Sequence, residues 1–306
     1  MYQQNTYLKQ NEVGKGGLTM PVNDELGKRM KEYYEGIPKT KLMRRTPVAI
    51  RLDGKAFHTF TRGFKKPFDE VLINAMQETT KYLCENIQGC VLGYTQSDEI
   101  TLILVDYKKL NSCAWFDYEV QKMCSIAASM ATMAFNKFFA NEVKKFKFNT
   151  GGSYAPQSVT AHEKMLRYEK TLEQAVSRGA MFDARVFNVP KEEVTNLIYW
   201  RQLDATRNSI QMVGQANFSH KELQNKSCND IQNMLLTEKN INWNNLPAYL
   251  KRGSCCIKKD TTTSIDVREN DEVVYCSTGR PRWIIDVEIP IFKDEGREYI
   301  EKLINF

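Results

Sequence analysis

The sequence predicts an α+β fold built on a βαββαβ core, on three observations: an alternating strand ending in an acid, an amphipathic helix followed by a tight hairpin, and a second amphipathic helix whose closing strand is delayed. The first strand is PVAIRLD, in which Val48, Ile50 and Leu52 alternate and leave Asp53 at the end, followed by Gly54. Asp69 is placed to cap the next helix, where Leu72, Ala75, Met76, Thr79, Leu83 and Ile87 recur at three- and four-residue steps. The runs CVLGYT and EITLILV, separated by QSD, form the hairpin and set Asp98 near its tip with Glu99 beside it. Cys124, Ala127, Met130, Ala131, Ala134, Phe135 and Phe138 mark the second helix, and FDARVFNVP at 182–190 supplies the fourth strand. The expectation is a ferredoxin-like, palm-type core with a helical insertion and a C-terminal extension.

Residues 1–20, rich in Gln, Asn and Gly, read as a flexible leader. Residues 21–190 form the expected catalytic domain with an insertion at about 141–180. Lys144, Lys145 and Lys147 in KKFKFN precede a Gly-Gly pair and are expected on a mobile loop. Residues 191–306 are expected to pack on this domain through a helix over IYWRQLDATRNSIQMV, a shorter one near NDIQNMLL, the segment NINWNNLPAYLKRG and a terminal strand WIIDVEIPIF. With 306 residues, 42% of them apolar, the chain can bury a sizeable core. The net charge of +6 suits a polyanionic partner without requiring one. Eight cysteines without a C-x-x-C pair, two of them adjacent at Cys255 and Cys256, argue against a zinc or disulfide framework and for a reducing compartment. No run approaches the roughly 20 apolar residues that span a bilayer, so a cytoplasmic protein without membrane contact is expected.

In a βαββαβ sheet the first strand pairs with the hairpin, so Asp53 and Asp98 can converge at one edge. Convergent carboxylates suit Mg²⁺, which takes one or two of them plus substrate phosphates, and paired ions about 3.5–4 Å apart serve phosphoryl displacement. Gly54 would let a metal or phosphate approach the backbone. The same residues also fit a simpler reading: a strand-ending Asp-Gly turn and a polar hairpin tip of Ser97, Asp98 and Glu99.

Five runs narrow the choice. RLDGKAFHTF at 51–60, GYTQSDEIT at 93–101, FDARVFNVP at 182–190, WRQLD at 200–204 and NINWNNLPAYLKRG at 240–253 together resemble the tRNA(His) guanylyltransferase family, in the family's order. That resemblance implies a nucleotidyltransferase that builds RNA in the 3′-to-5′ direction. It would first activate a tRNA 5′-monophosphate with ATP or GTP, then join an incoming NTP through its 3′-hydroxyl. It implies two Mg²⁺ ions on Asp53, Asp98 and the Gly54 carbonyl, with Glu99 as a supporting catalytic acid. The nucleotide would lie against Asp53, Gly54, Lys55, Ala56, Phe57 and His58 with Ser97 and Asp98, and Lys66 near the triphosphate. Lys226, Arg252, Asn242, Arg207 and the lysines at 144, 145 and 147 are candidate triphosphate or RNA contacts, a solvated surface role staying open for the cations. Partners implied are tRNA, nucleoside triphosphates and further copies of the chain in a homotetramer. Where eukaryotic members carry H-I-N-N, this chain has Thr206, Arg207, Asn208 and Ser209, which points to the guanylyltransferase-like branch that repairs truncated tRNA 5′ ends on a template strand. Guanosine addition to tRNA(His) is the alternative. A nucleotide cyclase would use the same two aspartates but predicts neither WRQLD nor NINWNN, and an RNA-binding module would need stacking aromatics that VAIRLDG lacks.

Overall fold

The computed structural model describes residues 25–150, 159–259, 264–269, 272–277 and 281–305; the expected leader and the Gly-Gly pair at 151–152 lie outside the described residues. Of the described residues, 25–39 form a unit of their own, holding α1 (Glu25–Met30) and a π-helical turn at Lys31–Glu35. Everything below concerns the second unit, which begins at Thr40.

Its elements run β1 (Val48–Gly54), α2 (Phe57–Phe60), α3 (Glu70–Asn86), β2 (Cys90–Gln96), β3 (Glu99–Leu104), α4 (Val120–Thr150), α5 (Val159–Arg178) and β4 (Phe182–Asn188). The strands pair antiparallel in the order β4-β1-β3-β2, which is the predicted βαββαβ core, so the α+β expectation holds. Alternation decides what each face carries. Val48, Ile50 and Leu52, with Ile100, Leu102 and Leu104, pack against Ala75, Met76 and Leu83 of α3 and Ala127, Ala131 and Phe135 of α4. The other face presents Ala49, Ile103, Leu92 and Tyr94 to Val194 and Ile198 of α6 (Val194–Asn217).

α3 starts where its cap predicts. Asp69 accepts the Leu72 N–H at 3.2 Å and the Lys65 N–H at 2.9 Å, and the buried Tyr168 hydroxyl donates to it at 2.6 Å. The expected loop at KKFKFN is instead the last turns of α4. Phe139 and Val143 are buried and Phe146 packs beside them, so the apolar stripe continues at three- and four-residue steps and the helix continues with it. Lys145 pairs with Glu142 at 2.6 Å, and Lys147 with Glu173 of α5. Tyr168, Leu172 and Ala175 of α5 belong to the same core as β1, so residues 159–178 are built into the domain.

Beyond α6 come α7 (His220–Leu223), α8 (Cys228–Lys239), α9 (Ala248–Arg252), β5 (Ser254–Lys259), a separate hairpin of β6 (Ser264–Glu269) and β7 (Glu272–Ser277), β8 (Arg282–Asp286) and α10 (Glu298–Ile304). β5 and β8 add to the β2 edge, giving the sheet β4-β1-β3-β2-β5-β8. The C-terminal stretch was expected to pack on the core; it extends the sheet itself. SCCIKK carried no alternation because Ser254, Cys255, Cys256 and Ile257 are all buried, one face under each layer. The terminal strand is shorter than WIIDVEIPIF: it stops at Asp286, and Ile289 and Phe292 enter the core from the loop beyond.

Candidate active site

Both aspartates sit at one end of the sheet. β1 runs outward to Asp53, and the β2–β3 hairpin turns back at Ser97 and Asp98, where Ser97 takes a left-handed backbone (φ 50°). The Gly54 N–H donates to the Asp98 carbonyl at 3.1 Å, tying the end of β1 to the hairpin tip. In register, Asp53 lies opposite Glu99 on β3 and opposite Asp183 on β4. Directly paired Cα atoms in such ladders stand about 4.5–5.5 Å apart, so three acids share one row on the α6 side of the sheet.

Their partners differ. Both oxygens of Glu99 are taken by Arg201 of α6, which donates from Nε at 2.6 Å and from Nη2 at 2.8 Å, with both side chains buried. Burial pushes the Glu99 carboxyl upward, and Arg201 and Arg51 pull it part of the way back. Arg201 also binds Asp204 at 2.8 Å. Asp98 accepts the Ser97 hydroxyl, at 3.0 Å, and its own backbone N–H, and its carboxyl is held above the usual range by burial and, to a lesser degree, by the charge of Asp53. Among the described residues neither Asp53 nor Asp98 has a cationic partner. Two mutually repelling, unneutralised carboxylates beside a glycine are a donor set that fits a hard cation. No group of three or more His, Cys, Asp or Glu able to hold a metal occurs among the described residues, but Mg²⁺ requires only one or two carboxylates beside substrate phosphates.

The predicted nucleotide segment divides by burial. Phe57 is core, its ring meeting Phe60, Phe135 and Phe182, so only its backbone can face a ligand. Lys55, Ala56 and His58 are exposed, with Ala56 in a left-handed conformation (φ 55°) and the Lys55 N–H donating to the Met181 carbonyl. A Cβ on Gly54 would stand 2.2 Å from the Phe57 ring, so this turn requires glycine.

Lys66 and Lys226, distant in sequence, line one cavity of about 480 Å³ with His220, Gln211 and Gln215. Ser97 borders a smaller slot of about 90 Å³ lined by Phe68, Leu72, Met212, Asn208 and Tyr249. Arg252 lies at the end of α9; Tyr94 donates to its carbonyl at 2.7 Å, and its Nε is buried without a hydrogen-bond partner. Asn242 caps its own turn, accepting the Asn244 N–H at 3.0 Å, while Trp243 donates from Nε1 to Ser209 on α6 at 3.0 Å. Arg207 pairs with Asp204, and Lys144, Lys145 and Lys147 stand on α4. Sequence reasoning missed Arg201 and Asp183. The signal for Asp183 was the register of FDARV against RLDG, and for Arg201 the buried acid that needed a counter-charge.

The relatives first define a class, the nucleotidyltransferases, for a chain with an acidic sheet edge on an antiparallel α+β core. The chain belongs to the tRNA(His) guanylyltransferase family: the family profile described as tRNAHis guanylyltransferase matches residues 27–190. It is 31% identical over 261 residues to uncharacterized protein R259 of Acanthamoeba polyphaga mimivirus, spanning 81% of this chain and 82% of that one. A probable tRNA(His) guanylyltransferase of Dictyostelium discoideum is 27% identical over 271 residues, spanning 84% and 91%. Structures of a bacterial tRNA(His) guanylyltransferase-like protein in complex with ATP and with GTP superpose with TM-scores of 0.71 and 0.65 at 40% and 37% identity, each covering 92% of this chain and 100% of that one.

Proposed function

We propose that the chain is a Mg²⁺-dependent polymerase of the palm type that adds nucleotides in the 3′-to-5′ direction to tRNA 5′ ends, repairing truncated ends on a template strand. The observation that carries this reading is the pair Asp53 and Asp98, brought to one sheet edge where the Gly54 N–H meets the hairpin tip, without a cationic side-chain partner among the described residues, in a guanylyltransferase-family chain. Asp53, Asp98 and the Gly54 carbonyl would hold the metal, which when bound supplies charge stabilisation at phosphoryl oxygens. Glu99, locked by Arg201, orients the row from below as a positioning residue. Ser97, Lys55, Ala56 and His58 face the nucleotide, and Lys66 and Lys226 share the cavity whose cationic lining suits a triphosphate. The complexes of the bacterial relative with ATP and GTP support activation of the RNA 5′-monophosphate by either nucleotide, with pyrophosphate leaving, before the 3′-hydroxyl of an NTP attacks the activated 5′-phosphate and displaces AMP or GMP. Selection by the opposing base follows from the replacement of H-I-N-N: Asn208 lines the slot at Ser97, and Ser209 is engaged by Trp243. The protein works in the cytoplasm as a homotetramer around one tRNA in this reading.

The test incubates tRNAs lacking the first nucleotide, one for each template base, with labelled NTPs and Mg²⁺. Incorporation should follow Watson–Crick pairing, vanish with a chelator, and vanish in Asp53→Ala and Asp98→Ala. Guanosine added regardless of the opposing base sinks the templated reading; turnover by either folded variant sinks the metal site.

A further inference from the structure

Trp200 begins the WRQLD run, and nothing assigned to the chemistry above uses it. Its side chain is 52% exposed, whereas Trp115 and Trp283 are buried and Trp243 is fastened to Ser209. One face of the ring is taken: the Arg201 guanidinium lies 4.3 Å from its centroid. That guanidinium is itself immobile, gripped by both oxygens of Glu99 and by Asp204. Trp200 is therefore a large aromatic plane backed by a clamped cation, with its other side open, standing one helix position from the residue that grips the acidic row containing Asp53.

The surroundings identify what the open side takes. Along α6 the exposed stripe reads Trp200, Leu203, Arg207, Gln211 and Gln215 at three- and four-residue steps. Its far end, about 16 Å from Trp200 at Gln211 by helical rise, enters the cavity lined by Lys66, His220 and Lys226. Asp204, four residues along α6 from the ring, is paired with Arg201 and Arg207, and Glu99 with Arg201. An aromatic plane, the exposed Arg207 along the stripe and, at its far end, the cavity given above to the triphosphate compose a track that leads a single strand toward the nucleotide, with rings stacking bases and cations following phosphates.

We propose that Trp200 is a stacking platform for a nucleobase of the RNA strand whose 5′ end is brought to Asp53, with Arg201 as its fixed backing. This rests on the reading of the chain as an RNA 5′-end nucleotidyltransferase. The base can come from RNA or from a free nucleotide, and the structure favours RNA because Ser97, assigned above to the nucleotide, borders a slot with Asn208 and Met212 that Trp200 does not line.

Titrating the full chain with a 5′-monophosphorylated tRNA lacking its first nucleotide decides the matter. Intrinsic fluorescence should be quenched in the wild type and little changed in Trp200→Phe. Trp200→Ala should raise the Kd for this tRNA about tenfold, the scale of one base–aromatic stack, while Trp200→Phe recovers most of the affinity. The KM for NTP should move less than twofold in both. Unchanged tRNA affinity in Trp200→Ala overturns the proposal. So does equal quenching by ATP alone, which assigns the ring to the nucleotide, or RNA-free quenching that grows with protein concentration alongside an altered oligomeric state in Trp200→Ala, which assigns it to a second copy. If Trp200→Ala does not fold, the Phe variant and the quenching comparison decide alone. Tight, quenched tRNA binding without nucleotide incorporation leaves the platform standing and removes the enzymatic reading; no tRNA binding at all removes both.

Discussion

At Asp98, burial and the facing charge of Asp53 both disfavour the ionised carboxyl, so its pKa is raised in the folded state. A raised acid destabilises the fold above that pKa, and the penalty is relieved as pH falls through it. Asp98→Asn should therefore raise Tm at neutral pH by about 2 °C, with the gain shrinking toward acid, while abolishing nucleotide addition. Thermal melts between pH 4 and 8 check the sign; a variant less stable than wild type at pH 7 contradicts it. The opposite holds at Arg201. Arg201→Ala leaves Glu99 buried without its bidentate partner, which costs about 3–5 kcal/mol in a chemical denaturation experiment, and adding Glu99→Gln should restore part of it. These two positions also show what a sequence discloses about a site. Asp53 and Asp98 were legible because alternation and a two-strand hairpin fix where a strand ends. Arg201 was not, because its meaning depends on a helix docked onto an acid 102 positions earlier, which no local period encodes.

The same division runs through the elements. α3 was legible from its cap to its stripe, since both are local. The end of α4 was not: Gly151 and Gly152 suggested a loop nearby, but Phe139, Val143 and Phe146 carried the helix past the lysines to meet α5. Tertiary burial overrode a turn signal. That packing has a consequence at the start of α3, because Tyr168 of α5 donates its hydroxyl to the cap residue Asp69. Asp69→Ala should cost about 2–3 kcal/mol, combining a lost cap with a buried hydroxyl left unpaired, whereas Tyr168→Phe should cost about 1 kcal/mol. Urea titrations of the two single variants and the double test this. If the double equals the sum of the singles, the two groups are not coupled as the 2.6 Å hydrogen bond requires.

Across the molecule, the sheet does not respect the boundary that the motif order suggests at residue 190. β5 and β8 complete the β2 edge, and α6 and α10 cover the face that carries Ala49 and Tyr94. A fragment of residues 40–190 should accordingly fail to give a dispersed NMR spectrum or a cooperative melt, because it bares one sheet face and strands Glu99 among Asp53 and Asp98. A cooperatively folding fragment would show that the C-terminal strands are dispensable. No helix among the described residues is long and apolar enough to cross a membrane.

The clamp between Arg201 and Glu99 gives the molecule a history as well as a shape. During synthesis the β1, β2 and β3 strands leave the ribosome with their acids while the neutralising arginine is still about a hundred residues away, roughly 5–20 s at 5–20 residues per second. Until it arrives, the strands must either stay solvated or gather Asp53, Asp98 and Glu99 against Arg51, 3.9 Å from Glu99, in place of the bidentate Arg201, and electrostatics favours the first. The acidic edge is therefore a late assembly, shut by α6 only after β4 has taken its place beside β1.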